Sequence, residues 1–296
     1  MRALLKRVAE STLLAVAKWG ADRRLAGRVL VLAYHDIVPR GERPAGDRSL
    51  HLAEDAFSLQ LDLLGERVDV VPLGQALDSA PGARPRVAIT WDDAYQGAMT
   101  VGVEQVVRRG LPATVFVAPG MLGGQTFWWD AVAGTSDLDP AVRRAALEEG
   151  QGDTDLVRRL ATERGWPWRE APEYARTATE TTVRAAAARG VAVGAHSWTH
   201  PNLTRIAADR LADELRRSRD WALAAATGVG WVAYPYGLQD DAVRTAAGVA
   251  GFAGGLLIEG GWALPGGARL AVPRLNVPAG VSPAGFGLRL AGAVGG

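Results

Sequence analysis

Two adjacent acids, Asp92 and Asp93, end an apolar run in Val87-Ala-Ile-Thr-Trp-Asp-Asp-Ala-Tyr95. Neighbouring carboxylates repel, so their shared place at the end of a strand needs a reason. A metal ion supplies one, with one acid ligating and the other free to act as a base. A plain alternative is a helix N-cap acid beside an exposed neighbour. A second polar group, His196-Ser-Trp-Thr-His200, follows the apolar run Val191-Ala-Val-Gly-Ala195. Two imidazoles four residues apart can meet one ion, on a helical turn or a tight loop. An Asp with two His makes three ligands and leaves positions open, which is the pattern of a catalytic site.

Two further strand ends carry chemistry. Pro235 and Gly237 in Trp231-Val-Ala-Tyr-Pro-Tyr-Gly237 favour a sharp turn. Such a turn can aim a backbone N–H at developing negative charge; the alternative is an ordinary loop. In Leu32-Ala-Tyr-His-Asp36, His35 stands where a general acid could sit, or is a hydrogen-bonded structural histidine. The chain has only 4 histidines, and three of them (His35, His196 and His200) lie in these clusters.

The elements that position these groups alternate. Candidate strands are Val29–Tyr34, Val68–Val71, Arg86–Thr90, Ala113–Val117, Val191–Ala195, Trp231–Tyr234, Phe252–Leu257 and Leu270–Leu275. Candidate helices are Glu54–Leu64, Val101–Arg109, Arg205–Ala226 and Asp240–Val249. Short, nearly continuous apolar strands between helices predict a parallel α/β fold covered on both faces. Seven to eight strands point to a (β/α) barrel, in which catalytic residues gather at the strand C-termini. No G-x-G-x-x-G follows the first strand, which weighs against a dinucleotide-binding sheet. The helical, Ala-rich stretch 131–189 interrupts the alternation and reads as an insertion, a lid or side wall. The pairs Gly254–Gly255, Gly260–Gly261 and Gly266–Gly267 read as turns.

Composition narrows the function. The chain has 296 residues and a formal net charge of +1, with no long basic block, so nucleic acid is not an expected partner. It has no cysteine, which excludes disulfides, thiolate catalysis and Cys-ligated metals. Ten tryptophans suit either sugar faces or core packing. Trp128 and Trp129, in Thr126-Phe-Trp-Trp-Asp130, stand as candidates for lining a sugar subsite, with core packing as the equal alternative. Residues 1–28 mix basic and apolar positions and read as an amphipathic helix. It would pack on the barrel domain (29–292) or touch a membrane surface peripherally. Its apolar stretch is too short for an export signal, so the expected location is cytoplasmic, with peripheral membrane contact as the variant.

The motifs together resemble the polysaccharide deacetylases (carbohydrate esterase family 4). Thr90-Trp-Asp-Asp-Ala94 is similar to their T-F-D-D-G, His196-Ser-Trp-Thr-His-Pro-Asn-Leu203 to their H-[ST]-x-x-H-x-x-L, and Tyr234-Pro-Tyr-Gly237 to their third motif. The resemblance spans roughly residues 29–278. It implies a distorted TIM-like barrel, one divalent metal (usually zinc) and removal of N-acetyl groups from an N-acetylated carbohydrate. By position it makes Asp93, His196 and His200 the metal ligands and Asp92 the general base. The Tyr236 backbone N–H becomes an oxyanion donor, with Tyr236 at the substrate.

The chain departs from the common pattern at Ala94, at Trp91 and at the third-motif arginine, which is absent. No histidine follows His200, so the family's C-terminal acid is missing too. Tyr34-His35 resembles the circularly rearranged branch, which carries its histidine near the start. His35 is then the candidate acid, and Arg274 in Val272-Pro-Arg-Leu-Asn276 the candidate tether of Asp92. Two other readings remain open. One is a metal-dependent amidohydrolase or esterase acting on a small acetylated metabolite. The other is an inactive sugar-binding barrel.

Overall fold

A computed structural model describes residues 25, 27–78, 84–133 and 137–293. Most of the 1–28 segment, with its expected amphipathic helix and membrane contact, lies outside the described residues. No helix among the described residues is long and apolar enough to cross a membrane.

The chain runs β1 (Val29–Tyr34), β2 (Asp36–Val38), β3 (His51–Ala53), α1 (Glu54–Arg67), β4 (Asp69–Val70), α2 (Leu73–Asp78) and β5 (Arg86–Trp91). Next come α3 (Val103–Arg108), β6 (Ala113–Val117), α4 (Trp128–Ala133), α5 (Pro140–Glu148), α6 (Thr154–Arg164), α7 (Glu180–Ala188) and β7 (Ala192–Ala195). The remainder is α8 (Ala208–Leu223), β8 (Gly228–Ala233), α9 (Asp241–Val249), β9 (Gly254–Gly260), β10 (Trp262–Ala263), β11 (Val272–Asn276) and α10 (Pro283–Leu290).

Seven parallel strands close a barrel in the order β1-β11-β9-β8-β7-β6-β5. Closure is made by β1 on β5, with six paired positions from Val29↔Arg86 to Tyr34↔Trp91. The expected (β/α) barrel is therefore present. The candidate strand 68–71 is shorter than expected and forms an edge strand, β4, outside the closed wall. The two-residue β10 pairs antiparallel to β1.

Strand alternation sorts side chains to the two sides of this wall. Val29, Val31, Ala88, Phe116, Trp231, Ala233, Leu256 and Val272 form one buried cluster, joined by Leu73, Ala76 and Leu77 of α2. The alternate residues, such as Leu30, Leu32, Val87, Ile89, Val193 and Val232, pack into the main cluster with the helices. Both faces of the barrel wall are thus largely covered, which explains runs that are apolar without alternation.

Residues 131–189, expected as a helical insertion, hold helices of two kinds. α4, α5 and α6 belong to the insertion. α7 buries Val183, Ala186 and Ala187 in the same core as the strands, so it is the ordinary barrel helix before β7. Two insertion helices start on side-chain caps: Asp139 accepts from Ala141 and Val142, and Asp153 from Asp155 and Leu156.

Gly254–Gly255 is not a turn but the start of β9. The glycines make room for aromatic rings of the adjacent strand. A Cβ on Gly254 would fall 2.0 Å from the Trp231 ring, and one on Gly255 2.3 Å from the Tyr234 hydroxyl. Gly254→Ala is therefore expected to lower stability by about 1–3 kcal/mol through overpacking. Gly280→Ala, where nothing lies within 4 Å of the added carbon, should leave it unchanged. Urea unfolding of both variants checks the contrast.

Candidate active site

The polar strand ends meet at one mouth of the barrel. β5 delivers Asp92 and Asp93, β7 runs into His196, β8 into Tyr236, and β11 carries Arg274. The register of β1 on β5 brings Tyr34 alongside Trp91, so His35 follows next to Asp92. Asp92 N–H donates to the Tyr34 carbonyl at 2.9 Å, which pins the two strand ends together. A cavity of about 150 Å³ opens there, lined among others by His35, Asp92, Asp93, His196, His200 and Tyr236.

The backbone twists sharply to aim these groups. Non-glycine residues with positive φ include Asp93 (70°), Ala94 (54°), Ser197 (59°), His200 (58°) and Tyr236 (59°). All five belong to the three sequence motifs. Left-handed backbone costs about 1–2 kcal/mol for each such residue and persists where surrounding structure holds it. Glu214 of α8 does part of the holding. Its buried carboxylate accepts from the N–H groups of Trp198 (2.7 Å) and Thr199 (2.8 Å), so it braces the loop between the two histidines.

The turn at Asp93 sends the two acids apart. Asp92 meets Arg274, which is fully buried. Arg274 Nη1 donates to Asp92 Oδ1 at 2.8 Å and Nη2 to Oδ2 at 2.6 Å, a bidentate clamp. Burial raises the Asp92 pKa, but the Arg274 guanidinium and His196 outweigh it and hold the carboxyl below its ordinary range. Arg274 thus tethers Asp92 as the sequence suggested.

Asp93 turns to the histidines. Its Oδ1 lies 3.3 Å from His196 Nε2 and 3.1 Å from His200 Nε2, and the two Nε2 atoms are 3.1 Å apart. Two atoms on one tetrahedral zinc at about 2.0–2.1 Å stand about 3.3–3.4 Å from each other, so this triangle has the dimensions of a ligand set. Its chemistry fits as well. His196 Nδ1 donates to the Ala233 carbonyl at 2.7 Å, which leaves the Nε2 lone pair facing the triangle. Asp93 Oδ1 is buried and has no hydrogen-bond partner. Among the described residues this is the one cluster of acids and histidines compact enough to hold an ion.

His35 lines the cavity, and none of the described residues hydrogen-bonds its ring. Burial lowers its pKa despite Asp93 and Asp92 nearby. Tyr236 sits in a 3-10 turn, Pro235–Gly237, in which Pro235 has no N–H and Gly237 N–H donates to the Tyr234 carbonyl at 2.9 Å, so the Tyr236 N–H is the donor without a partner inside the turn. Its ring lies 4.6 Å from that of His200, with the hydroxyl donating toward the Gly152 (3.0 Å) and His200 (3.2 Å) carbonyls and accepting from Trp128 Nε1 (2.8 Å).

That contact corrects the reading of the tryptophans. Trp129 lines the cavity. Trp128 does not; it is buried and bonds Tyr236 from behind. Successive helical residues point about 100° apart, which lets Trp129 face the cavity while Trp128 turns to the Tyr236 hydroxyl.

A second buried polar group, which no sequence motif signals, lies beside the cavity. His51 Nδ1 lies 2.8 Å from Asp36 Oδ2, and Nε2 lies 2.9 Å from Asp130 Oδ1. All three residues are buried. They are 15 and 79 positions from His51 in sequence, and no spacing motif joins them. Burial works to lower the His51 pKa, but the carboxylates of Asp130 and Asp36 outweigh it and raise it to about 10.

The sequence profile of the polysaccharide deacetylase family matches residues 79–255. No curated protein matches the chain. Among solved structures, the Streptococcus pyogenes deacetylase PplD in complex with acetate is similar, at 18% identity and TM-score 0.61. The likeness covers 88% of this chain and 97% of that one. IcaB from Ammonifex degensii is similar at 16% identity and TM-score 0.59, over 90% and 96%. A de-N-acetylase from Aggregatibacter actinomycetemcomitans is similar at 15% identity and TM-score 0.59, over 86% and 97%. At these identities the structural likeness is one of fold. The profile match covers more than half of the sequence, and on it the chain belongs to the polysaccharide deacetylase family, hydrolases of acetylated carbohydrates.

Two outcomes are expected. Arg274→Leu strands a buried carboxylate and should cost about 3–5 kcal/mol, with partial recovery on adding Asp92→Leu. Equal losses in the single and double variants by urea unfolding would contradict the clamp. For His51, the folded pKa is raised from 6.5 to about 10. Its contribution is fully present below pH 6.5 and is lost as pH rises through about 10. The stability gap between wild type and His51→Gln should therefore shrink from pH 6 to pH 10 in thermal melts.

Proposed function

We propose that the chain removes N-acetyl groups from an amino-sugar glycan or glycan precursor, using one divalent ion held by Asp93, His196 and His200. The observation that carries this reading is the convergence of three ligand atoms beside a separately clamped carboxylate. Two imidazole nitrogens and one carboxylate oxygen suit zinc. An ion bound there supplies Lewis acidity, polarising the acetyl carbonyl and making an adjacent water more acidic.

The protein groups do the rest. Asp92 accepts a proton from the attacking water. Each of its oxygens bonds Arg274 and keeps a second lone pair free for that proton. The clamp fixes the carboxylate's direction at the cost of basicity, so the water must be acidified for the transfer to proceed. The Tyr236 backbone N–H donates to the carbonyl oxygen as charge develops on it. His35 gives a proton to the departing nitrogen, because an amine leaves poorly without one; with its pKa lowered by burial, it takes up that proton in the course of the reaction. The products are acetate and a free amino sugar.

Asp92→Asn should abolish acetate release from N-acetylglucosamine oligosaccharides while the purified protein still carries one equivalent of metal. His35→Gln should slow release by roughly 10²–10⁴-fold, the usual worth of an acid–base group. Asp93→Asn should lose metal on analysis of the same samples. Undiminished turnover after chelation and dialysis, or two ions per chain, would overturn the assignment.

A further inference from the structure

The buried Asp36–His51–Asp130 group has no part in the reaction just described, yet its hydrogen bonds lead to the cavity. Asp130 Oδ2 accepts from the Tyr95 hydroxyl at 2.7 Å. The same hydroxyl accepts from Trp129 Nε1 at 2.7 Å. Trp129 is the residue of the tryptophan pair that lines the cavity. Its ring centroid lies 5.0 Å from that of His200 and 5.7 Å from that of Tyr236. The donor roles run one way along the whole path. Asp130 can only accept, so Tyr95 donates to it and has lone pairs left for the indole.

From this geometry we infer that the Asp36–His51–Asp130 triad, acting through Tyr95, is a positioning device for Trp129, fixing the wall against which the sugar ring is held. The reading of that wall as a sugar platform rests on the proposed function. The placement of the indole does not.

Trp129 is buried among the rings of Phe127, Trp128, His200 and Tyr236. Trp129 stacks on Phe127 at 4.4 Å and 11°. Such a stack tolerates a ring flipped about its outer torsion, which is broad and roughly two-fold. The Nε1–Tyr95 bond selects one of the two orientations and hence the edge shown to the cavity. Asp130 accepts from Tyr95 and so directs its hydroxyl, and His51 bonds Asp130 in turn.

The triad also reaches the other side of the cavity. Asp130 Oδ1 accepts from the Asp47 backbone N–H at 2.9 Å, fixing the turn before Leu50, which lines the cavity too. That turn is fitted closely to the acid: a Cβ on Gly46 would fall 2.2 Å from Asp130 Oδ1. Buried ion groups add little net stability over apolar packing of equal volume, whereas their directed bonds fix orientation.

The test has two arms. In the first, indole N–H signals are followed in ¹⁵N–¹H spectra, with the Trp129 signal identified by its loss in Trp129→Phe. It should shift in Tyr95→Phe, Asp130→Asn and His51→Gln, while the signal of distant Trp231 stays in place. A Trp129 signal unmoved in His51→Gln or Asp130→Asn overturns the inference. So does a shift of every indole signal, which marks a general structural role.

The second arm measures acetate release from N-acetylglucosamine oligosaccharides by Tyr95→Phe, Trp129→Phe and the double variant. Each single change should raise KM roughly tenfold, the scale of one lost hydrogen bond, with kcat within about threefold. The double variant should be no worse than Trp129→Phe, because Tyr95 acts through Trp129. Multiplying effects, or a loss confined to kcat, overturn the inference. If wild type releases no acetate, the proposed function fails and the spectra still decide the positioning role. If Tyr95→Phe does not fold, Asp130→Asn takes its place in both arms.

Discussion

Two ionised carboxylates cannot be buried side by side at one strand end without separate positive partners, and this constraint shapes the whole mouth of the barrel. Left-handed backbone at Asp93 swings the second acid away from the first. Arg274 then crosses the barrel to clamp Asp92, and the two histidines converge on Asp93. Remove either partner set and an uncompensated charge is left in a dry interior. The closed barrel is what allows three strands to present these partners within bonding distance of one another.

The same separation gives the site its division of labour. The clamped acid is directed but weakly basic. The other acid presents a bare oxygen, matched by two imidazole nitrogens, which is a demand for a cation. On the proposed reading, acid–base work and cation binding fall to neighbouring residues that would otherwise compete. The strained turns are the cost of this arrangement, and they are braced from outside by groups such as Glu214 on α8.

Around this centre lies a second layer that is polar, buried and nonreactive. Trp128, Tyr236 and the Gly152 carbonyl form one set of bonds, and Asp36, His51, Asp130, Tyr95 and Trp129 another. Both run between the barrel and the insertion after β6. The insertion therefore acts as a wall bonded to the catalytic loops.

How much of this was legible in the sequence follows from the range of each interaction. The alternating elements, the acid pair, the H-x-x-x-H loop and the Pro-Tyr-Gly turn are local patterns, fixed by a few neighbouring residues. Scarcity of histidine pointed to His35, and the missing arginine to Arg274, because a buried acid needs some cation. Other features depend on residues far apart in the chain. Trp128 and Trp129 are equivalent as letters, and only the rotation of α4 about its axis turns one to the cavity and one to the core. Gly254–Gly255 reads as a turn until the rings of Trp231 and Tyr234 are seen to fill the space beside it. His51 meets Asp36 and Asp130 only after the barrel has closed and the insertion has folded onto it. The sequence by itself determined which chemistry is present; tertiary structure decided which side chains reach it, because contact across the barrel is set by strand register and packing rather than by spacing along the chain.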